Sequence, residues 1–446
     1  MRFRALDVAA ATGGRLVGPD VEIDGASFDT RSLRAGQLFV PVVAARDGHE
    51  FVPAALAAGA AAYLTSLEPI HGGTAIVVPD TLRALMDLAA DRRRRCAAQV
   101  VGITGSVGKT STKDLAAAAL GAVTRVWANA RSFNNDQGLP TTVLEAPDDT
   151  SVMVLEMGMR GFGEIARLAA LARPDVGVVT RVAEAHGERV GGIEGVARAK
   201  AELVQALPAS GVAVLNADDE RVRAMGRATA ARVVLYGEGP GSDVRITRVE
   251  LDALARPRAA LATPWGSVEV AVGVSGRHMA ANAAAALAVV GVLGFDVGAA
   301  AGALSGAVLS PNRMALSRLA SGAMLLDDSY NANPTSMRAA LDALAALPAA
   351  RRVAIVGLMA EVADAPAEHL AVRRYAEALG VELITVGTDL YGVAPVDDPL
   401  AALGSLAGDD AVLVKASRAA ALDRVAGALV QREGGVLVGE GGDVAT

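Results

Sequence analysis

Aromatic side chains are almost missing from this sequence: seven Phe, five Tyr and two Trp among 446 residues. Its cores must rest on Leu, Val, Ile and Ala instead. Cysteine occurs once, as Cys96, which excludes an intrachain disulfide and fits a reducing compartment. No apolar run approaches the roughly 18 residues needed to span a bilayer. The longest, Ala283 to Phe295, lies between Asn282 and Asp296. The start, MRFRALDVAAATGG, has no apolar core of the signal-peptide kind. A soluble cytoplasmic protein is expected. Excess positive charge is missing too: 42 Lys and Arg stand against 49 Asp and Glu, for a formal charge of −7. A broad nucleic-acid surface is thereby excluded, and any anionic ligand must be held by a local site.

The length predicts two to four domains. Residues 1–95 read as a small α/β unit, with strands at Gln37–Pro41, Ala62–Leu64 and Ala75–Val78 and helices at Val52–Ala58 and Leu82–Asp91. The run Arg92–Arg95 is either a boundary or a solvated helix end. Residues 96–313 repeat one pattern: an apolar strand (VVGITG, VMVLE, VGVVT, GVAVLNADD), a polar residue at its end, then a helix. That pattern predicts a parallel sheet covered on both faces, with ligands at the carboxyl ends of its strands. Residues 314–446 repeat it in AMLLDD, RRVAIVG, ELITVG and DAVLVKASR, predicting a second open sheet. The last dozen residues, glycine-rich and without periodicity, read as disordered.

Residues 101–112, VGITGSVGKTST, carry the strongest chemical signal. Here Thr104, Gly105, Ser106 and Gly108 lead into Lys109, Thr110 and Ser111 and a helix. Glycines let backbone N–H groups close on phosphate oxygens, and the helix start adds its positive end. Lys109 supplies a point charge for the β- and γ-phosphates, and the Thr110 hydroxyl can ligate Mg²⁺. The spacing departs from the strict pattern, with five residues rather than four between Gly102 and Gly108. The loop predicts a nucleoside triphosphate and no more.

Glu156 closes the strand VMVLE, His186 follows VGVVT, and Lys200 sits in the helix GVARAKAEL. Alone, Glu156 reads as a helix-start acid, His186 as a satisfied loop histidine and Lys200 as a solvated helix face. Together, beside a triphosphate, they suggest a Mg²⁺ site. Further on, LLDDSYNANPTSM turns from a buried strand into Asp327, Asp328, Tyr330, Asn331, Asn333 and Pro334. That is more hydrogen-bonding capacity than a turn requires.

In order along the chain, TGSVGKTST, SFNNDQGLP, LEMG, AEAH, EGVARAKAEL, GRHMAANAAAAL and VLVKASR resemble the motifs of the Mur ligase family, ATP-dependent amide-forming enzymes of peptidoglycan precursor synthesis. The segment DSYNANPTSMRAAL is similar to that of the members adding a dipeptide. The resemblance implies three domains: a small N-terminal α/β domain for the uridine nucleotide, a central P-loop-type parallel sheet and a C-terminal Rossmann-like open sheet. It implies a monomer that joins D-Ala-D-Ala to UDP-N-acetylmuramoyl-tripeptide through an acyl phosphate, using ATP and two Mg²⁺ ions. Lys109, Glu156, His186 and a carbamylated Lys200 would be catalytic, the last three with Thr110 on the metal side. His278, Asn282, Arg313 and Asp327 or Asp328 would serve the nucleotide. Asp29, Thr30, Arg31, Ser32, Asp47 and His49 would take the uridine diphosphate, although DTRS can equally cap a turn. Asn134, Asn135, Tyr330, Asn331 and Asn333 would face substrate.

Some positions depart from the family pattern. Arg181 and Met279 stand where asparagine is common, Leu358 where aspartate is, and Ala416 where glycine is. Two other functions remain open: a related ligase adding a single amino acid, and an inactive nucleotide-binding regulator.

Overall fold

The computed structural model describes residues 2–69, 72–130, 132–183, 187–360 and 362–438. The chain is α/β throughout and divides into two compact units. Among the described residues, no helix is long and apolar enough to cross a membrane.

The first unit comprises Met1–Gly102, Thr124–Met159 and Gly163–Asp175. A five-stranded sheet runs in the order Arg15–Val17, Thr74–Val77, Ala62–Thr65, Leu38–Phe39, Ala26–Ser27. Its first pair is antiparallel and the others are parallel. Phe39, Val52, Ala55, Tyr63 and Ala75 form its small core, where two of the few aromatics are spent. The helix Thr81–Arg95 starts at Asp80, whose carboxylate accepts from Arg83 N–H. It absorbs the whole Arg92–Arg95 run. Arg92 is buried, with a guanidinium N–H on Asp148 at 3.0 Å, and Arg93 donates to Ala172 O at 2.8 Å. The first half of this run is thus a packed anchor and not a solvated helix end. The strands Val126–Ala128 and Val152–Glu156 pair in parallel within the same unit.

The second unit comprises Ile103–Val123, Arg160–Phe162 and Val176–Thr446. The strand Gln99–Thr104 runs across the boundary. Val176–Val179, Val212–Asn216, Arg232–Gly237 and Val244–Leu251 lie side by side in parallel. Pro257–Thr263 and Gly266–Ala271 then extend the sheet antiparallel, an extension that the apolar-run pattern did not signal because its exposed face alternates with polar residues. The helices Lys109–Gly121 and Met279–Val292 pack on each other. The long apolar run of the sequence is this second helix, buried from Ala283 to Gly291.

A second sheet in this unit orders Glu382–Thr385, Arg351–Val356, Asp410–Lys415 and Met324–Asp327 in parallel. Ala315–Leu319 joins antiparallel, and Gly435–Leu437 pairs antiparallel with it. The start of the glycine-rich tail is therefore an edge strand and not disordered chain. Its backbone hydrogen bonds, not its composition, decide that.

The helix Ala365–Ala378 carries His369, fully buried. Its Nε2 accepts from Met359 N–H at 2.9 Å, so Nδ1 holds the proton and donates to Ala365 O at 2.6 Å. The ring stands edge-on to Tyr391 at 4.8 Å between centroids. Burial pushes the His369 pKa below its ordinary value. Below pH of about 6.5 the unfolded chain takes up a proton that the folded chain refuses, so this contribution is full above that pH and lost as pH falls. His369→Gln is expected to flatten the fall in unfolding free energy between about pH 7 and about pH 5, measured by urea titration at each pH. An unchanged slope would place the acid sensitivity elsewhere.

Candidate active site

The phosphate loop is built as its glycines require. Gly105 has φ 153° and Gly108 has φ 83°, both in the region that side chains avoid. A Cβ on Gly105 would sit 1.9 Å from Thr180 Oγ1, and one on Gly108 would sit 2.9 Å from Asn282 Oδ1. Thr180 ties the turn down: its hydroxyl donates to Val107 O at 2.6 Å and its N–H to Thr104 O at 3.0 Å. Ser106 N–H donates to Arg181 O at 2.6 Å and its hydroxyl to Ala183 O at 2.9 Å. Lys109 begins the helix and its ammonium meets Gly105 O at 2.7 Å. Thr104, Thr110 and Ser111 are buried at the loop's base.

The linker around Arg313, between the turn Ala303–Gly306 and the strand Ala315–Leu319, and the polar cluster meet this loop within the same unit. Arg313 reaches Thr110 Oγ1 with Nη2 at 3.2 Å, and its guanidinium lies 4.0 Å over the Tyr330 ring. Its Nε is buried without a hydrogen-bond partner, an orphan donor of the kind an anionic ligand satisfies. Asn312 and Met314, on either side, both have positive φ, 61° and 51°. Such backbone costs about 1–3 kcal/mol per residue and needs outside support. The two aspartates supply it: Asp327 accepts from the Asn312 amide at 2.8 Å, and Asp328 from Met314 N–H at 3.2 Å. Burial pushes the Asp327 pKa up.

Lys415 was not singled out in the sequence, yet it organises the cluster. It is buried, and its ammonium donates to Asp328 Oδ2 at 2.5 Å, to Asn331 O at 2.8 Å and to Asp328 O at 3.4 Å. Burial pushes its pKa down while Asp328 opposes the shift. The Ser417 hydroxyl donates to Ala332 O at 3.2 Å. Asn333 is spent on the helix Pro334–Ala346, accepting from Ser336 N–H at 2.9 Å. Asn331 is left exposed. His278 is half-buried beside Gly276, and burial lowers its pKa.

In the first unit, the amide of Asn134 donates to Glu156 Oε1 at 2.6 Å, joining two residues that the sequence placed in separate roles. Asn135 instead accepts from Gly138 N–H at 2.9 Å, at the start of the helix Gly138–Glu145. Glu156 is buried at its strand end. Asp29 holds Arg31 at 2.6 Å, and the Ser32 hydroxyl donates to Asp29 O at 3.3 Å, with Thr30 in the turn between. His49 donates from Nδ1 to Asp47 at 2.6 Å, and its Nε2 accepts from Ser66 N–H at 3.1 Å.

In the second unit, Lys200 is buried, on the helix Gly192–Gln205, and so is not on a solvated face. His186 lies outside the described residues. Among the described residues, no three His, Cys, Asp or Glu cluster as metal ligands.

Fold and loop define a nucleotide-binding α/β protein whose phosphate loop meets a second polar loop through one arginine. The family model of the Mur ligase middle domain matches residues 103–290, and that of the Mur ligase glutamate ligase domain matches residues 312–440. The chain belongs to the Mur ligase family. It is 42% identical over 90% of its length, and 91% of the relative, to the UDP-N-acetylmuramoyl-tripeptide–D-alanyl-D-alanine ligase of Mycobacterium tuberculosis (strain H37Rv). With the enzyme of the same name in Escherichia coli K12 it shares 36%, over 93% of this chain and 96% of the other. Among solved structures it resembles MurF from Acinetobacter baumannii, with TM-score 0.86 and 27% identity over 97% and 99% of the two chains. It also resembles the Thermotoga maritima MurF ligase in complex with ADP, with TM-score 0.80 and 27% identity over 92% and 98%.

Lys415→Met leaves the buried Asp328 carboxylate without its cation, and is expected to destabilise the protein by about 3–5 kcal/mol. Adding Asp328→Asn should recover more than half of that in urea unfolding. A double variant as unstable as the sum of the singles would show that the pair is not coupled.

Proposed function

We propose that this chain is an ATP-dependent ligase joining D-Ala-D-Ala to UDP-N-acetylmuramoyl-tripeptide, releasing ADP and phosphate and forming the pentapeptide precursor of peptidoglycan. The observation that carries it is likeness at 42% identity over 90% of this chain and 91% of the relative to an enzyme of that name. The site chemistry agrees with it. The tripeptide carboxylate must take the γ-phosphate of ATP to become an acyl phosphate, and the dipeptide amine then displaces phosphate. Two anions have to be brought together for the first step. Lys109, the turn amides and the helix start offset the phosphate charge. The orphan Nε of Arg313 points the linker at the same task. Closure of the residues beyond Arg313 would keep water from the acyl phosphate.

The division 1–95, 96–313 and 314–446 assigns the uridine nucleotide, ATP and the amine to successive domains. Thr110 and Glu156 each offer the hard oxygen donor that Mg²⁺ prefers, and the family resemblance adds His186 and Lys200 to the residues that would serve two ions. When bound, the metal neutralises phosphate oxygens. An unmodified ammonium at the buried Lys200 does not suit a cation. CO₂ adding to the neutral amine, with loss of one proton, makes it an anionic oxygen donor. A monomer in the cytoplasm, where ATP and the uridine nucleotide are, fits this reading.

ADP release is expected to depend on both UDP-N-acetylmuramoyl-tripeptide and D-Ala-D-Ala. Turnover only with a single amino acid would sink the dipeptide reading. No phosphate release with any muramoyl peptide would favour a nucleotide-binding regulator. Lys200→Ala is expected to lose about 10²–10³ in rate and to regain part of it with a short carboxylic acid added. Absence of rescue would count against the carbamate.

A further inference from the structure

The amine substrate of that reading ends in a free carboxylate, and a carboxylate taken out of water needs a cation. Among the described residues, three cations border the loop 327–333. Lys415 is buried and spends its ammonium on Asp328 and two main-chain carbonyls. Arg313 is turned to Thr110 of the phosphate loop. Arg418 is the one left to solvent. Its side chain is 67% exposed, and its ion-pair partner, Asp423, stands at 4.0 Å, a separation and exposure at which such a pair contributes little. The Arg418 guanidinium lies 5.7 Å over the Tyr330 ring, the same ring on which Arg313 rests. Beside the ring, Asn331 is exposed, and its side chain makes no hydrogen bond among the described residues.

We propose that Arg418 anchors the carboxylate end of the dipeptide, with Tyr330 holding the guanidinium in place, and so selects amines that carry a free carboxyl terminus. The inference rests on the ligase reading above. A guanidinium meets a carboxylate with two parallel N–H donors, and an aromatic face orients its plane. A dipeptide held at Arg418 would lie beside the Tyr330 ring, the ring that Arg313 also meets on its way to Thr110 of the phosphate loop.

The test is a substrate-by-enzyme cycle at saturating ATP and UDP-N-acetylmuramoyl-tripeptide. D-Ala-D-Ala and its C-terminal amide are compared on the wild type, Arg418→Ala and Arg418→Lys. In the wild type the amide is expected to show a KM about 10- to 100-fold above the acid. In Arg418→Ala the acid should rise to the level of the amide, with the KM for ATP unchanged, and Arg418→Lys should recover part of the difference. The thermal midpoint should not move, since the side chain is exposed. An Arg418→Ala variant that still prefers the acid overturns the anchor alone. A wild type that turns over neither compound overturns the ligase reading, and the anchor with it.

Discussion

The contact on which the rest of the nucleotide-side geometry hangs is the one between Lys415 and Asp328. It joins the ends of two neighbouring parallel strands, Asp410–Lys415 and Met324–Asp327, at the edge where open α/β sheets bind ligands. Both groups are buried, so neither is tolerable without the other. The same carboxylate accepts from Met314 N–H, and the same ammonium holds Asn331 O. One ion pair therefore fixes the strained linker around Arg313 and the backbone of the polar loop together. That linkage gives a buried pair a purpose that its modest net contribution to stability does not.

The dense polar cluster after Leu326 is explained by division of labour. Asp327 and Asp328 support the linker, and Asn333 starts a helix. Tyr330 carries two guanidiniums, and Asn331 faces out. Most of the hydrogen-bonding capacity that looked excessive for a turn goes to holding a neighbouring segment in a backbone conformation it would not adopt alone. Only the remainder is free for a ligand.

How much of this was legible in the sequence depended on whether a residue's task is local. The phosphate loop was, because strand, glycine turn, Lys109 and helix are contiguous. The parallel strands were, because burial on both faces leaves continuous apolar runs. The strands Pro257–Thr263 and Gly266–Ala271 were not, since one face is solvated and the apolar run is broken. Lys415 could not be ranked from its own neighbourhood: its partner lies 87 residues earlier in the chain. Lys200 read by itself looked solvated for a related reason, because a lone lysine in an amphipathic helix is usually on the wet face, and only packing shows that this one is buried. Asn135 and Asn333, read from the sequence as facing substrate, each turn a side-chain oxygen to a helix start, a position that favours asparagine.

The departures from the family pattern become intelligible once the contact at each position is known to be made by main chain or by a neighbour. Arg181 meets the phosphate loop through its carbonyl, which accepts from Ser106 N–H, while its side chain is exposed. Leu358 likewise offers its carbonyl, to Ser417 N–H. At Met279 the thioether sulfur accepts from Asn282 at 3.5 Å, a weak substitute for an amide oxygen. Asn282 is nevertheless held against Gly108, whose missing side chain leaves the room for it. Ala416 is the tightest case: a Cβ on Gly357 would lie 3.0 Å from its methyl. With alanine at 416, glycine at 357 leaves room for its methyl where the ends of the paired strands Arg351–Val356 and Asp410–Lys415 lie side by side.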